Sequence, residues 1–241
     1  MNFTVTSGEV ISLLGPNGVG KTTLLRTIMG FLKPLNGIVS LDDRNILSLP
    51  RKYIASRIGY VPQINQHSFS LSVEDVIILG RLSHLGIFAH PGYKDMQIAE
   101  ETLKVLNIES LRHKIFNNLS GGEQQIVMIA RALVQKPMFL IMDEPTSNLD
   151  FGNQIRILKI IKHLAKCGIS VLFTTHLPDQ AFLCEAKVIL FYKNAEPEIG
   201  KAADVLTEHN LQRAYGAAIK VITQKNDDGS ILKTCVPMMG E

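Results

Sequence analysis

Residues 15–22 read Gly15-Pro16-Asn17-Gly18-Val19-Gly20-Lys21-Thr22 and match the pattern G-x-x-x-x-G-K-[ST] at every fixed position. The apolar run Val10–Leu14 precedes this motif, and a helical pattern follows it up to Pro34. Glycines allow backbone N–H groups to curl around phosphates, and the following helix points its positive end at them. Lys21 would then reach the terminal phosphates, and the Thr22 hydroxyl would bind magnesium. The segment predicts a phosphate site between a buried strand and a helix, with a chance glycine-rich turn as the alternative.

An acidic pair, Asp143-Glu144, directly follows the apolar run Phe139–Met142. A carboxylate at the end of a buried strand is costly unless a cation or polar group meets it. We therefore expect Asp143 to hold magnesium, directly or through water, and Glu144 to act as a general base on the attacking water. The alternative is an acidic turn that begins a helix before Pro145.

A second candidate anion site precedes the helical pattern Gln124–Leu133, in the run Leu119-Ser120-Gly121-Gly122-Glu123. Ser120 and Glu123 have the spacing of a capping box, which explains these two residues but not the glycines. Paired glycines at an exposed helix N-terminus would let the backbone approach a phosphate closely. Two phosphate-binding elements in one chain suggest that each serves a different nucleotide.

Strand and helix patterns alternate along the chain, which predicts a mostly parallel sheet with helices on both faces. The expected strands are Phe3–Val5, Val10–Leu14, Ile38–Leu41, Phe139–Met142, Val171–Thr175 and Val188–Phe191. A helical insertion is expected at about 70–120, beginning with a cap at Ser72. A small hairpin is expected in the last residues, around Asp228-Gly229. The predicted division is a domain over 1–216, which includes the insertion, and an extension over 217–241.

Composition excludes several classes of protein. The net charge of +3 over 241 residues is too small to argue for a nucleic-acid partner. The three cysteines are widely spaced, so buried thiols in a reducing compartment are expected rather than disulfides or a metal site. No apolar run approaches the length that spans a bilayer, and the N-terminus lacks an export signal. The predicted location is cytoplasmic, at the inner face of the cell membrane, attached through a partner.

Taken in order, these motifs resemble ATP-binding cassette (ABC) ATPases from about Ser7 to Gly216. The shared features are the phosphate loop, Val61-Pro62-Gln63, the run 119–123, the stretch 139–150 and His176. The five-residue signature before the helix is the most specific of them. The resemblance implies an α/β fold of the P-loop NTPase (RecA-like) type, with a mostly parallel sheet and the inserted ABC helical subdomain. It also implies a short antiparallel part at the N-terminus, shortened in this chain.

The resemblance assigns further roles residue by residue. Gln63 is implied to contact magnesium and the attacking water, and His176 is implied to touch the γ-phosphate. Ser120 and its two following glycines are implied to bind the γ-phosphate held by an opposite subunit, with Asp150 across that interface. The catalytic candidates are Glu144, His176 and Gln63, and the magnesium candidates are Thr22, Gln63 and Asp143. The nucleotide-binding candidates are Gly15, Pro16, Asn17, Gly18, Val19, Gly20, Lys21, Thr22, Thr23, Ser120, Gly121, Gly122, Glu123 and Asp150.

The implied activity is hydrolysis of ATP with Mg²⁺, coupled to transport across a membrane. The implied partners are a second copy of the chain, transmembrane permease subunits and, indirectly, a substrate-binding protein, but no nucleic acid. Short motifs at 80–86, 204–207 and 214–216 resemble importers of iron–siderophore, haem or cobalamin type. The cargo itself is not encoded in this chain, because specificity in such systems belongs to the permease and the capture protein. A soluble ATPase of the iron–sulfur assembly type, or a regulator without turnover, are the alternatives.

The N-terminus departs from the family pattern. In the family, an aromatic residue that stacks on adenine lies one or two strands upstream of the phosphate loop, yet only fourteen residues precede Gly15. Either the gene start lies further upstream, which we favour, or the chain binds adenine without this contact. One aromatic–base stack is worth about 1–3 kcal/mol, so its loss would weaken binding without abolishing phosphate recognition.

Overall fold

The described part of the chain contains strands from Val10 to Pro237, most of which alternate with helices. A computed structural model describes residues 1–63, 70–84, 90–225, 229 and 231–239, and of Ser83 and His84 only the backbone. In chain order the strands are β1 Val10–Leu14, β2 Ser40–Leu41, β3 Arg44–Asn45, β4 Ile58–Val61, β5 Phe139–Met142, β6 Ser170–Thr175, β7 Lys187–Tyr192, β8 Ala195–Lys201, β9 Ile219–Lys225 and β10 Ile231–Pro237.

The α-helices alternate with these strands through most of the chain. They are α1 Lys21–Ile28, α2 Arg51–Arg57, α3 Val73–Ile78, α4 Tyr93–Val105, α5 Gly121–Leu133, α6 Phe151–Lys166, α7 Pro178–Leu183, α8 Ala202–Val205 and α9 Glu208–Tyr215. Short 3-10 helices lie at Ile46–Ser48, Leu79–His84, Glu109–Leu111 and Phe116–Asn118. The alternation is the one that the sequence predicts.

A six-stranded sheet in the order β4-β5-β6-β1-β7-β8 positions the candidate site. The first five strands run parallel, and β8 pairs antiparallel with β7 at the edge. Parallel strands end at the same edge of a sheet, so the loops after β1, β4, β5 and β6 meet there. The predicted fold class is confirmed.

Both faces of the sheet are covered, which explains why its central strands are apolar throughout. On one face, Ile11 and Leu13 of β1 pack with Leu25 of α1 and Ile54 of α2. On the other face, alternate strand residues such as Leu14 and Phe173 join the larger core formed with the remaining helices. Because the side chains of β1 alternate between the two faces, one set of them packs against α1. This packing holds α1, and the phosphate loop before it, at the centre of the sheet.

The helical segment that contains α3 and α4 is joined to α5 through the half-buried Arg81. The Arg81 Nε atom donates to Asp95 Oδ1 over 2.7 Å, and Arg81 Nη1 donates to the Val134 carbonyl oxygen at the end of α5, also over 2.7 Å. The Ser72 cap is present as predicted, as a capping box with Asp75. Because α5 begins at the signature residues, this anchor connects the helical segment to the candidate site.

The C-terminal strands β9 and β10 form an antiparallel hairpin, as predicted. The hairpin is attached to the main body by hydrogen bonds from the Cys235 N–H to Asp179 Oδ1 over 2.7 Å and from the Val221 N–H to Glu208 Oε1 over 3.1 Å. The predicted turn residue Asp228 lies outside the described residues. The boundary between a domain over 1–216 and an extension over 217–241 stays a prediction.

Two strand predictions were wrong in part. Residues 3–5 are not in a strand, although Phe3 packs against the core that Ile11 and Leu25 belong to. The strand expected at 38–41 is reduced to β2, because Asp42 and Asp43 adopt positive φ angles and turn the chain at once. Both predictions rest on runs of three or four residues, which carry little periodic signal.

No helix among the described residues is long and apolar enough to cross a membrane.

Candidate nucleotide-binding site

The phosphate loop forms the floor of a cavity of about 260 Å³ at the carboxyl edge of the sheet. The cavity is lined by Asn17, Gly18, Gly20, Lys21, Thr22, Thr23 and Glu144. Gly15 begins the loop with φ +146°, and a Cβ atom at this position would lie 2.9 Å from the Cβ atom of Phe191. Glycine is required there because the loop passes directly against β7, which fixes where the backbone amides point.

Helix α1 presents its N-terminus to this cavity without a side-chain cap. The first N–H groups of a helix have no partner within the helix, so the amides of Lys21, Thr22 and Thr23 are available to an anion. Gly20 precedes them with φ +107°, a conformation that glycine adopts at little cost. The sequence motif thus leaves the first amides of α1 without a side-chain cap beside the cavity.

Lys21 occupies the base of the loop, with 7% of its surface exposed. Its Nζ atom donates to the carbonyl oxygens of Gly15 over 2.7 Å and Pro16 over 3.1 Å. Burial lowers the pKa of this amine, while the nearby Glu144 and Asp143 carboxylates oppose the shift. A partly desolvated ammonium interacts strongly with a phosphate anion, which suits the role predicted for Lys21.

Oxygen atoms suited to magnesium meet beside the cavity. The Thr22 Oγ1 atom donates to Asp143 Oδ2 over 3.2 Å, which brings a hydroxyl from α1 to a carboxylate at the end of β5. Magnesium binds hard oxygen ligands of this kind and usually retains several waters. The chemistry of these donors therefore fits the ion that the sequence predicts.

Glu144 extends into the cavity from the residue after Asp143. Its Oε2 atom accepts a hydrogen bond from Gln63 Nε2 over 3.2 Å, and Gln63 Nε2 also lies 3.4 Å from Ser147 Oγ. Gln63 follows β4, the strand that neighbours β5 in the sheet, so the pairing of these strands explains the contact. The structure thus brings Gln63, Asp143 and Glu144 together with the phosphate loop.

The signature residues are elsewhere, at the N-terminus of α5. Ser120 is the N-cap and forms a capping box with Glu123: its N–H and hydroxyl donate to Glu123 Oε2 over 2.8 and 3.0 Å. These hydrogen bonds, chiefly that of the backbone N–H, lower the pKa of Glu123. Ser120 and Gly121 are exposed, and no residue of 120–123 belongs to those that line the described cavity.

Gly122 is explained by a contact within the chain. A Cβ atom there would lie 2.3 Å from the Cγ and Oδ1 atoms of Asn153 in the first turn of α6. Asn153 in turn donates to Asp150, the N-cap of α6, through its N–H over 2.8 Å and its Nδ2 over 2.6 Å. These bonds, led by that of the backbone N–H, lower the pKa of Asp150. The sequence assigns both glycines to phosphate approach, whereas the structure gives Gly122 a packing reason of its own.

His176 follows β6 at the same sheet edge and is exposed. It is not among the residues that line the cavity. The segment that carries it is fixed by the neighbouring Thr175, whose hydroxyl accepts from the Leu177 N–H over 3.1 Å and donates to Gln180 Oε1 over 2.8 Å. The same Gln180 oxygen accepts from Thr146 Oγ1 over 2.9 Å, so the loop after Glu144 and the loop after β6 are connected.

Comparison with known proteins decides the family. A family described as ABC transporter matches residues 1–147. An uncharacterised ABC transporter ATP-binding protein of Haemophilus influenzae is 37% identical over 224 residues, which cover 93% of this chain and 85% of that protein. This chain belongs to the ABC transporter family. It is the ATP-binding subunit, and an ATPase, as members of this family are.

Two further similarities are to proteins whose descriptions name the transport of metal chelates. A protein of Helicobacter pylori described as a probable iron chelatin transport ATP-binding protein is 35% identical over 228 residues, covering 94% of this chain and 89% of that protein. A solved structure, described as an inward-facing conformation of a metal-chelate type ABC transporter, matches with a TM-score of 0.88 and 32% identity. It covers 99% of this ABC ATPase and 90% of the solved chain.

Several residues around the site of this ABC ATPase were not found by sequence reasoning. Thr174, Thr146 and Gln180 are buried polar residues that hold the loops in place, and Asn153 contacts the signature helix. The sequence does contain a signal for Thr174, because two threonines follow the apolar run Val171–Phe173 in a buried strand. The partners of the other three depend on contacts between distant segments, which no local pattern encodes.

Proposed function

We propose that two copies of this chain close head to tail on ATP, and that closure and hydrolysis energise a membrane permease that imports a metal chelate. Each ATP would lie between the phosphate loop of one copy and the Ser120–Gly122 segment of the other. This is the ABC importer cycle predicted from the resemblance.

One observation carries the proposal: a single chain has two helix N-termini suited to phosphate, and they face different surroundings. The N-terminus of α1 opens into the cavity together with Lys21 and Glu144. The N-terminus of α5 exposes Ser120 and Gly121 outside that cavity. Exposed, positively polarised backbone amides suit an anion from another molecule. A second copy, turned head to tail, would supply that anion as the γ-phosphate of its ATP.

Magnesium, when bound, would neutralise the charge that develops on the β- and γ-phosphates. Thr22 and Asp143 would hold it through their oxygens, while Lys21 contacts the terminal phosphates. Glu144 would accept a proton from the attacking water, and Gln63 would orient both Glu144 and the water through the 3.2 Å contact that already exists. His176 would contact the γ-phosphate after a shift toward the cavity that accompanies closure.

Binding to ATP would shift the population from open to closed dimers, because the closed form contacts the γ-phosphate from both sides. Loss of the γ-phosphate removes those contacts, so the dimer reopens.

The dimer is tested with Glu144→Gln, which cannot accept the proton and should accumulate the closed form. With ATP and magnesium we expect light scattering to give about 53 kDa, twice the 26.7 kDa of one chain. Adding Ser120→Arg should return the double variant to the monomer mass, because the longer cationic side chain blocks the γ-phosphate contact. Thr207→Arg is the matched control, because Thr207, like Ser120, is a helix N-cap: its hydroxyl accepts from the Asn210 N–H at the start of α9, but it does not belong to the signature segment. A monomer with ATP, or a dimer that survives Ser120→Arg, would contradict the head-to-tail arrangement.

The permease and its cargo are supported by the likeness to the iron chelatin transport protein and to the metal-chelate type transporter. We expect the tagged chain to be recovered from the cytoplasmic face of the membrane together with a multi-span permease, identified by mass spectrometry. Uptake of a ferric chelate should then require Glu144. Recovery as a dimer free of membrane protein would favour the soluble assembly ATPase instead.

A further inference from the structure

The penultimate residue of β6 is a threonine, Thr174, whose hydroxyl joins the two acidic residues of the site. Thr174 has no exposed surface. Its Oγ1 atom donates to Asp143 Oδ1 over 2.7 Å and accepts from the Glu144 N–H, also over 2.7 Å. The sheet register explains this position: Met142 pairs with Phe173, so the next residues along the two chains, Asp143 and Thr174, lie beside each other. One hydroxyl thus serves two consecutive residues that directly follow β5.

The bond to Asp143 sets the orientation of its carboxylate. Asp143 is 8% exposed, and its two oxygens are held by different elements, Oδ1 by Thr174 and Oδ2 by Thr22 of α1. A carboxylate that is free to rotate offers either oxygen to a metal. Here the Thr174 bond occupies the inner oxygen and directs the other toward Thr22 and the cavity.

The bond to Glu144 stabilises an unusual backbone. Glu144 has φ +47°, in the left-handed region that side chains other than glycine rarely adopt. Such a conformation persists only where its surroundings hold it. The amide of Glu144 donates to Thr174 in this conformation, and the same conformation carries the side chain to its contact with Gln63.

The neighbouring threonine has a different task. The Thr175 hydroxyl donates to Gln180 Oε1 over 2.8 Å and belongs to the network that holds the loop of His176. Successive side chains of a strand point to opposite faces, so Thr174 and Thr175 cannot replace one another. The link to the acidic pair therefore belongs to Thr174 specifically.

We propose that Thr174 is a positioning residue for ATP hydrolysis, which fixes the metal-facing oxygen of Asp143 and the backbone of Glu144 through one hydroxyl. The inference rests on the roles proposed for Asp143 and Glu144. Thr174 itself contacts neither nucleotide nor metal, and it acts through these two residues.

The test compares Thr174→Val, which keeps the shape but removes the hydroxyl, with Thr174→Ser, which restores it. Affinity for a fluorescent ATP analogue is measured with magnesium and with a chelator. In the wild type, magnesium should raise the affinity for the analogue; in the valine variant we expect this increase to be about tenfold smaller. That is the effect of one lost hydrogen bond to a charged group. Its affinity in the chelator should change less than about twofold, and serine should restore the gain.

Two further measurements separate positioning from a loss of folding. Hydrogen exchange at the Glu144 amide, without nucleotide, should accelerate at least about tenfold in the valine variant and recover in the serine variant. Ser170→Ala is the matched control, because it removes a buried hydroxyl at the other end of β6 that donates to the Thr6 carbonyl oxygen. It should leave both readouts unchanged.

An unchanged magnesium dependence together with unchanged Glu144 exchange in Thr174→Val would overturn the inference. If the valine variant does not fold, Thr174→Ala provides the same comparison without a methyl group facing the carboxylate. The underlying roles fail by a different result: wild-type turnover that does not need magnesium, or full turnover in Glu144→Gln.

Discussion

At the scale of single residues, Gly122 shows how two explanations for one glycine can be separated. The sequence suggests close approach of a phosphate, whereas the structure places the Asn153 side chain where a Cβ atom would be. Asn153 is itself held by two hydrogen bonds to Asp150, so it cannot move away freely. The packing explanation predicts an effect on stability in the absence of any nucleotide.

We expect Gly122→Ala to lower the free energy of unfolding by about 1–3 kcal/mol, because the added methyl group overpacks the contact between α5 and α6. In an Asn153→Ala background the same substitution should instead raise stability, by up to about 1 kcal/mol, since alanine is the better helix former. Urea unfolding of the four proteins without nucleotide gives the coupling between the two sites.

Equal effects of Gly122→Ala in both backgrounds would show that Asn153 is not the reason for the glycine. Gly121→Ala is the matched control in the same helical turn. A Cβ atom at Gly121 would lie 3.5 Å from Leu149 Cδ2, an ordinary contact, so little destabilisation is expected.

At the scale of elements, the sequence predicted the helices and strands whose signals lie in residues close together in the chain. The capping box at Ser72 and the buried strands β1, β5, β6 and β7 have local signals, and the structure confirms them. The helix predicted from Gln124 begins earlier, at Gly121, because Ser120 is its N-cap.

Two strands of the six-stranded sheet escaped prediction, because their sequences do not look like strands. β8 contains Glu196, Pro197 and Glu198, which an antiparallel edge strand tolerates and a buried strand would not. β4 is four residues long and includes Gly59. Both strands exist because the sheet offers them a partner, and a partner is not visible in a local pattern.

The residues of the candidate site likewise fall into those that a local sequence pattern predicts and those that depend on contacts between distant segments. The phosphate loop and the acidic pair each lie within a few residues, so their residue types and spacing are enough to predict them. Thr174 meets Asp143 across 31 positions of sequence, and Gln180 meets Thr146 across 34. Such contacts are set by strand register and by loop packing, which only the folded chain determines.

At the scale of the whole molecule, the hairpin β9–β10 is attached to the rest by a limited set of contacts. The described hydrogen bonds between them include those of Cys235 and Val221, and Ile219 packs against the larger core. Lys233 also lies over the Phe182 ring, 5.9 Å from its centroid. The hairpin covers α7, which follows the His176 loop, but contributes no residue to the lining of the described cavity.

We therefore expect a chain that ends at Gly216 to fold and to bind ATP with an affinity within about twofold of that of the full chain. Its free energy of unfolding should be lower by about 2–4 kcal/mol, because the apolar contacts of the hairpin are lost. Urea unfolding and titration with a fluorescent ATP analogue measure the two quantities. Asp179→Ala, which removes the acceptor for the Cys235 N–H while the hairpin stays, should account for about 1 kcal/mol of that cost. A truncated chain that is unfolded, or that has lost ATP binding, would place the hairpin inside the ATPase domain and move the proposed boundary beyond residue 216.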